Sequence, residues 1–249
     1  MRNLILLMLL QNMACKTTSA PDYNDMAQTY LPSKLFDSKS IRENTLVSYT
    51  SNGENPANSA QMLIPKPSPN THAHLQIPHS FHDLHTADIG KLLCSGNFFE
   101  SCMFNLYHRS HHDFTHTTNN IFNKFVKNLS ATKSKFTIVQ LHGFNAKTRK
   151  SEHISDTNLI ISVNGRRPSN RIVRIINHSA MKSWKTTIYG HNINILGGTK
   201  NKQLELLRDK DKATFIHMEL SLKLRRKLLT SSGERKKFLE FLRVLNDSV

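Results

Sequence analysis

Histidine and aspartate residues are concentrated in one part of this chain. Nine of the 14 histidines fall between His72 and His116, a stretch that also contains Asp83, Asp88 and Asp113. Imidazole and carboxylate groups are among the ligands that zinc takes from proteins. Their clustering therefore predicts a metal site in this region.

The segment 77–88 is one dense part of this cluster, because it carries three histidines and two aspartates within twelve residues. Catalytic zinc takes three protein ligands and leaves one position for water. A pair of side chains from this segment and the distant His142 would complete such a set, and a carboxylate such as Glu219 could take a proton from the activated water. Histidines that are exposed or satisfied in the core are the alternative interpretation.

The apolar runs between these residues predict strands and helices. Strands are predicted at 75–77, 136–141, 158–163 and 214–220, and helices at 86–93, 118–129, 168–181, 222–229 and from 231 onwards. The alternation predicts an α/β domain with three layers, in which helices cover both faces of a mostly parallel sheet. Ligands of such sheets bind beyond the carboxyl ends of the strands, where His79, His142 and Glu219 lie.

A second polar segment, residues 107–116, has several interpretations. It could hold another metal site, a substrate clamp or solvated charge. Arg109 is its best candidate for a clamp, because a guanidinium can grip a carboxylate with two parallel hydrogen bonds.

The chain is strongly basic, with 34 Lys and Arg against 18 Asp and Glu and a formal charge of +16. Such a charge attracts anionic partners of any kind. The basic residues are dispersed, and no zinc-finger spacing or aromatic RNA-binding signature accompanies them. We therefore expect an anionic peptide-like partner and no nucleic acid.

The first 20 residues have the pattern of a signal or lipoprotein leader. A short positive start precedes the apolar run 4–10, which is too short to span a bilayer as a helix. We expect an exported protein that is periplasmic, secreted or anchored to a membrane through a lipid on Cys15. In an oxidising compartment Cys94 and Cys102 could form a disulfide, with two buried thiols as the alternative.

Composition divides the rest of the chain in two. Residues 21–70 are rich in Ser, Thr, Asn and Pro, and they lack a periodic apolar pattern, so we expect a flexible arm or tether. The ordered domain is expected to occupy residues 71–249.

Several motifs follow one another along the chain. They are the loop from His79 to Asp88, the segments 106–109, 138–143, 164–165 and 196–201, and the segment 215–221 with Arg225. This order resembles the poly-γ-glutamate hydrolases and, more distantly, the N-formylglutamate amidohydrolases and zinc carboxypeptidases. The resemblance covers residues 74 to 229.

The resemblance implies a zinc-carboxypeptidase-like fold with zinc bound by His79, Asp83 and His142. Asp83 stands where the family has Glu, so His82 or His85 is the alternative second ligand. Glu219 corresponds to the catalytic general base.

Arg225 corresponds to the arginine that trails the family's catalytic glutamate, and we expect it to bind substrate together with Arg109. The expected activity is zinc-dependent hydrolysis of an amide in a γ-glutamyl or other acidic peptide-like substrate. The alternative is a secreted anion-binding protein that keeps the fold without catalysis.

Overall fold

The computed structural model describes residues 37–43, 46–51, 55–145, 154–178 and 184–249. Within these ranges, no helix is long and apolar enough to cross a membrane. The predicted leader and Cys15 lie outside the described residues.

The described chain forms one nine-stranded sheet in the order β1-β2-β3-β5-β4-β6-β9-β7-β8. The strands are β1 (Asp37–Glu43), β2 (Leu46–Ser51), β3 (Ala60–Pro65), β4 (Ala73–Ile77), β5 (Ser101–Asn105), β6 (Phe136–Phe144), β7 (Leu159–Val163), β8 (Thr186–Ile188) and β9 (Ala213–Ser221). Six α-helices accompany them in the described residues: α1 (Thr86–Cys94), α2 (Ile121–Thr132), α3 (Asn170–His178), α4 (Lys202–Leu207), α5 (Leu222–Thr230) and α6 (Ser232–Asn246).

The centre of the sheet is parallel and its flanks are mixed. Strands β5, β4, β6 and β9 run parallel to one another, whereas β1, β2 and β3 pair in antiparallel fashion and β7 runs antiparallel to β9. The predicted α/β class is confirmed, and the parallel part of the sheet is the part that carries the polar strand ends.

Helices cover both faces of the sheet, as predicted. Helices α1, α3, α5 and α6 pack on one face, and α2 and α4 pack on the other. Side chains alternate along a strand, so Val139 and Leu141 of β6 enter the first core while Ile138 enters the second. The same alternation puts His142 on the face of α2 and α4.

The sheet also contains three strands from the segment that we expected to be an arm or tether. Ala60, Met62 and Ile64 of β3 are fully buried, and β3 pairs with β5. That interpretation is therefore corrected for β3, which belongs to the core. A six-residue strand that ends at a proline gives too short a periodic signal to stand out from its polar surroundings.

The predicted helices and strands of the remaining chain are confirmed with small shifts of their ends, except that residues 179–181 of the helix predicted at 168–181 lie outside the described residues. The short elements β5, β8 and α4 were not predicted. Helix α4 has six residues, and β8 has three, so neither offers a full repeat of an apolar pattern.

Cys94 at the end of α1 and Cys102 in β5 form a disulfide with a Cα separation of 6.1 Å. The predicted proximity is confirmed. Replacing both cysteines with Ala should lower the free energy of unfolding by about 2.5 kcal/mol, because the bridge closes a short loop and restricts the unfolded chain. Urea denaturation with and without a reductant measures this loss. The stability of the double variant should not change with the reductant. Equal stability of the parent and the double variant in the absence of reductant would contradict the prediction.

Candidate active site

A single helical turn after β4 aligns His79 and Asp83. The backbone nitrogen of Asp83 donates to the carbonyl of His79 at 2.9 Å, as in a helix, where side chains four residues apart lie on one side. Ser80 N donates to Asn105 Oδ1 at 2.6 Å, which ties the turn to the end of β5. Asp83 also accepts a 3.0 Å hydrogen bond from Gly143 N of β6. The turn is therefore fixed to both strands that flank β4.

His142 of β6 completes a compact group with this turn. His142 Nδ1 lies 3.2 Å from His79 Nδ1. Asp83 Oδ2 lies 3.5 Å from each of these two nitrogens. All three residues are buried, and they form the group of described side chains that could hold a metal ion.

The three atoms fit a zinc ion in both spacing and chemistry. Ligands at about 2.0 to 2.2 Å from a tetrahedral ion are separated from one another by roughly 3.3 to 3.6 Å, which is close to the separations found here. Two imidazole nitrogens and a carboxylate oxygen that converge in this way repel one another unless a proton or a cation lies between them. The residues present therefore suit a divalent metal of the zinc type.

The far side of the His79 ring is held by an acidic residue. His79 Nε2 lies 3.3 Å from Asp113 Oδ1 and 3.5 Å from Thr115 Oγ1. Metal-ligating histidines commonly donate their second N–H to a carboxylate, which orients the ring. Asp113 is thus placed to support His79, a role that the sequence pattern did not indicate.

Replacing Asp113 with Ala should lower the affinity for zinc by about 10- to 100-fold, because His79 then loses its orienting acceptor. Competition with a chromophoric chelator measures the affinity. Asp156→Ala removes an exposed carboxylate paired with Lys185 and serves as the control. An unchanged affinity in Asp113→Ala would refute a supporting role.

The protonation of the three ligands follows from their neighbours. Burial lowers the pKa of His142 to about 4, so its ring is neutral at pH 7. Burial acts to raise the pKa of Asp83, but the neighbouring imidazole groups of His142 and His79 outweigh it and hold that pKa well below its ordinary value. Burial lowers the pKa of His79, yet its bonds to Asp113 and Asp83 raise it overall. The group thus contains the Asp83 carboxylate beside the His79 ring, whose surroundings favour its protonated form.

The two alternative ligands lie outside this group. His82 is exposed, and its Nδ1 lies 3.3 Å from His108 Nε2. His85 precedes α1 as its N-cap residue, in a left-handed conformation with φ 71°. Asp83 is therefore the side chain that joins His79 and His142 in the structure.

Glu219 of β9 lies beside His142, as the parallel register pairs these two residues. Its side chain is largely buried, with 8% exposure. Glu219 Oε1 lies 3.3 Å from Nε2 of His217, which is two residues earlier on the same face of β9. The His217 ring in turn packs on His142, with ring centroids 4.6 Å apart. The carboxylate is thus held beside the group of three ligands by its own strand.

Close packing explains a glycine near His217. Gly198 has a φ of +63°, and a Cβ there would lie 2.7 Å from His217 Nδ1. Only glycine adopts this conformation without strain and leaves room for the ring. His217 was part of a motif in the sequence, but it was not assigned to the site.

The two predicted substrate-binding arginines both line the site, in different environments. Arg109 is one-third exposed, and its Nη2 donates to Asp113 Oδ2 at 2.6 Å. Arg225 is buried and donates to the carbonyls of Leu84 at 2.5 Å and Phe144 at 3.2 Å. Arg225 therefore holds the loop after β4 to the end of β6, whereas Arg109 is the more accessible cation.

A cavity of about 680 Å³ lies at this site. The group of three ligands, Glu219, His217 and both arginines face it, together with the loop at residues 196–201. The volume suits a small molecule or a few residues of a peptide. The strand ends at which the sequence predicted functional residues therefore meet in one cavity.

No known family model and no curated protein matches this sequence. Partial similarity to solved structures is found. N-formylglutamate amidohydrolase from Ralstonia eutropha is 9% identical with a TM-score of 0.49, over 76% of this chain and 97% of that one. Bacteriophage poly-γ-glutamate hydrolase is 13% identical with a TM-score of 0.40, over 73% of this chain and 84% of that one.

A gene product from Agrobacterium tumefaciens is 12% identical with a TM-score of 0.47, over 72% of this chain and 89% of that one. Two of these structures are named after families that the sequence resembles. At these identities and TM-scores, function has to be argued from the side chains of the site itself.

Proposed function

We propose that this protein is an exported zinc-dependent hydrolase of amide bonds in γ-glutamyl or other acidic peptide-like substrates. The observation that carries the proposal is the convergence of His79 Nδ1, Asp83 Oδ2 and His142 Nδ1 within 3.2 to 3.5 Å of one another. Three such ligands in a cavity that also holds a carboxylate match the composition of catalytic zinc sites.

The chemistry divides between the metal and the side chains. A zinc ion bound by the three ligands would act as a Lewis acid and lower the pKa of water. Glu219 is the base in this proposal, since its carboxylate lies in the cavity and can accept a proton from water and pass it to a leaving amine. His217 holds Glu219 Oε1 in place and thereby orients the other oxygen.

Arg109 is the side chain best placed to bind an acidic substrate. A guanidinium has five N–H donors, and the structure shows one of its nitrogens bonded to Asp113. The remaining donors can grip a substrate carboxylate, and the formal charge of +16 favours a polyanion. Arg225 contributes by holding the two walls of the cavity together.

Export is proposed on two grounds. The first 20 residues have the composition of a leader, and disulfides such as Cys94–Cys102 persist mainly in oxidising compartments. The mature protein would be periplasmic, secreted or anchored through Cys15.

Metal content and turnover together test the proposal. Protein purified without added metal should contain one zinc per chain, and it should hydrolyse γ-linked or α-linked glutamyl peptides until a chelator removes the metal. Zinc without hydrolysis of any peptide would reject this substrate class. Binding of glutamyl peptides with neither zinc nor hydrolysis would favour the alternative, an anion-binding protein that keeps the fold without catalysis.

A further inference from the structure

A buried set of amide side chains lies on the Nε2 side of the His142 ring. Gln140, Gln76 and Gln203 are fully buried, and Asn201 is 3% exposed. Burying amides is unfavourable unless their hydrogen bonds are satisfied, so the arrangement of these bonds is informative. His142 Nε2 lies 3.2 Å from Gln140 Oε1 and connects this set to the candidate metal ligands.

We propose that Gln140 is a positioning residue that keeps the proton of His142 on Nε2 and the lone pair on Nδ1, facing His79 and Asp83. This inference deepens the proposed metal site, and its zinc measurements rest on that proposal. Its structural basis is the direction of the hydrogen bonds around the Gln140 amide, which two backbone anchors determine.

The first anchor is the beginning of α4. Asn201 Oδ1 accepts from the backbone nitrogens of Gln203 at 2.9 Å and Leu204 at 3.3 Å. Backbone nitrogens can only donate, so this end of the Asn201 amide must be its oxygen. Asn201 Nδ2 therefore points the other way and donates to Gln140 Oε1 at 2.7 Å.

The second anchor is a backbone carbonyl. Gln203 Nε2 donates to the carbonyl of Phe114 at 2.8 Å, which fixes the Gln203 amide because a carbonyl can only accept. Gln203 Oε1 then faces Gln140 and accepts from Gln140 Nε2 at 3.2 Å. Gln140 Nε2 also donates to Gln76 Oε1 at 2.7 Å.

Both anchors give the Gln140 amide the same orientation. Its oxygen faces Asn201 and His142, and its nitrogen faces Gln76 and Gln203. An oxygen that already accepts one donor can accept a second, but it cannot donate. A hydrogen bond with His142 therefore requires the proton on Nε2, which leaves Nδ1 as an electron-pair donor towards the candidate metal site.

The tautomer can be measured directly in the unsubstituted protein. In nitrogen-15 NMR spectra of metal-free protein labelled at histidine, a protonated and an unprotonated ring nitrogen have clearly different shifts. We expect His142 to carry its proton on Nε2, and assignment of the resonance comes from its loss in His142→Ala. A proton on Nδ1 would overturn the proposal, whether or not the protein binds zinc.

Gln140→Met removes the acceptor at nearly constant size. We expect its affinity for zinc to fall by about 10- to 100-fold, because an unsupported ligand ring can rotate and change tautomer. Gln76→Met is the matched control, since it removes an amide from the same buried set without a bond to His142. Its affinity should stay within roughly threefold of the parent, below the range for losing a ligand's supporting partner.

Two outcomes separate positioning from packing. Equal losses of zinc affinity in Gln140→Met and Gln76→Met, at equal losses of thermal stability, would show general loosening and overturn the role of Gln140. A Gln140→Met protein that keeps the parent affinity and the parent tautomer would also overturn it. If the parent binds no zinc, the proposed function fails, and the tautomer measurement still decides the role of Gln140.

Discussion

Glu219→Gln is expected to lower turnover at least roughly a hundredfold, the low end for general acid–base catalysis, while zinc stays bound. The amide keeps the shape of the side chain and can still contact His217 Nε2, which lies 3.3 Å from Glu219 Oε1. It cannot accept a proton at neutral pH. Steady-state kinetics on a glutamyl peptide and metal analysis of the same sample measure the two effects.

Glu205→Gln is a suitable control for that experiment. Glu205 lies on α4, where its exposed carboxylate pairs with Lys202 at 2.8 Å. This variant should retain both the parent rate and the zinc content. A Glu219→Gln protein that binds zinc and turns over at the parent rate would exclude Glu219 as the base.

His142→Ala is expected to abolish stoichiometric zinc binding and, with it, hydrolysis. His142 supplies one of three convergent atoms, and the two that remain both come from the single turn after β4. The loss of affinity should exceed the roughly 10- to 100-fold cost of removing a supporting partner of a ligand. Zinc content after dialysis and chelator competition measure it.

His111→Ala is the control for the ligand experiment, because His111 is exposed and does not line the cavity. It should keep one zinc per chain. Full zinc content in His142→Ala would remove this residue from the ligand set. The two predictions can fail independently, since Glu219→Gln is expected to lose turnover while its zinc stays bound.

The sequence by itself determined the architecture around β6 and β9. Their long apolar runs end in His142 and Glu219, and such runs are strong signals because both faces of a central strand are buried. The helices with full apolar repeats were predicted from that periodicity. The positions of the strand ends then followed from the geometry of parallel sheets.

Short elements and distant pairs were decided only by the tertiary structure. Strand β3 was mistaken for part of an arm, because six residues give little periodic signal. The pairing of Asp113 with His79 joins residues 34 positions apart, across a loop whose path no local pattern encodes. Asp83, and neither His82 nor His85, joins His79 and His142 in the group that could hold a metal, because the helical turn directs Asp83 towards β6.

Gln140 illustrates the same division. Its place two residues before His142 is visible in the sequence, and strand alternation puts both side chains on one face. The direction of its hydrogen bonds depends on Asn201 and Gln203, which lie more than 60 residues away. Local periodicity predicts which face a side chain takes, but the polarity of a buried hydrogen bond is set by whichever backbone groups the fold brings to it.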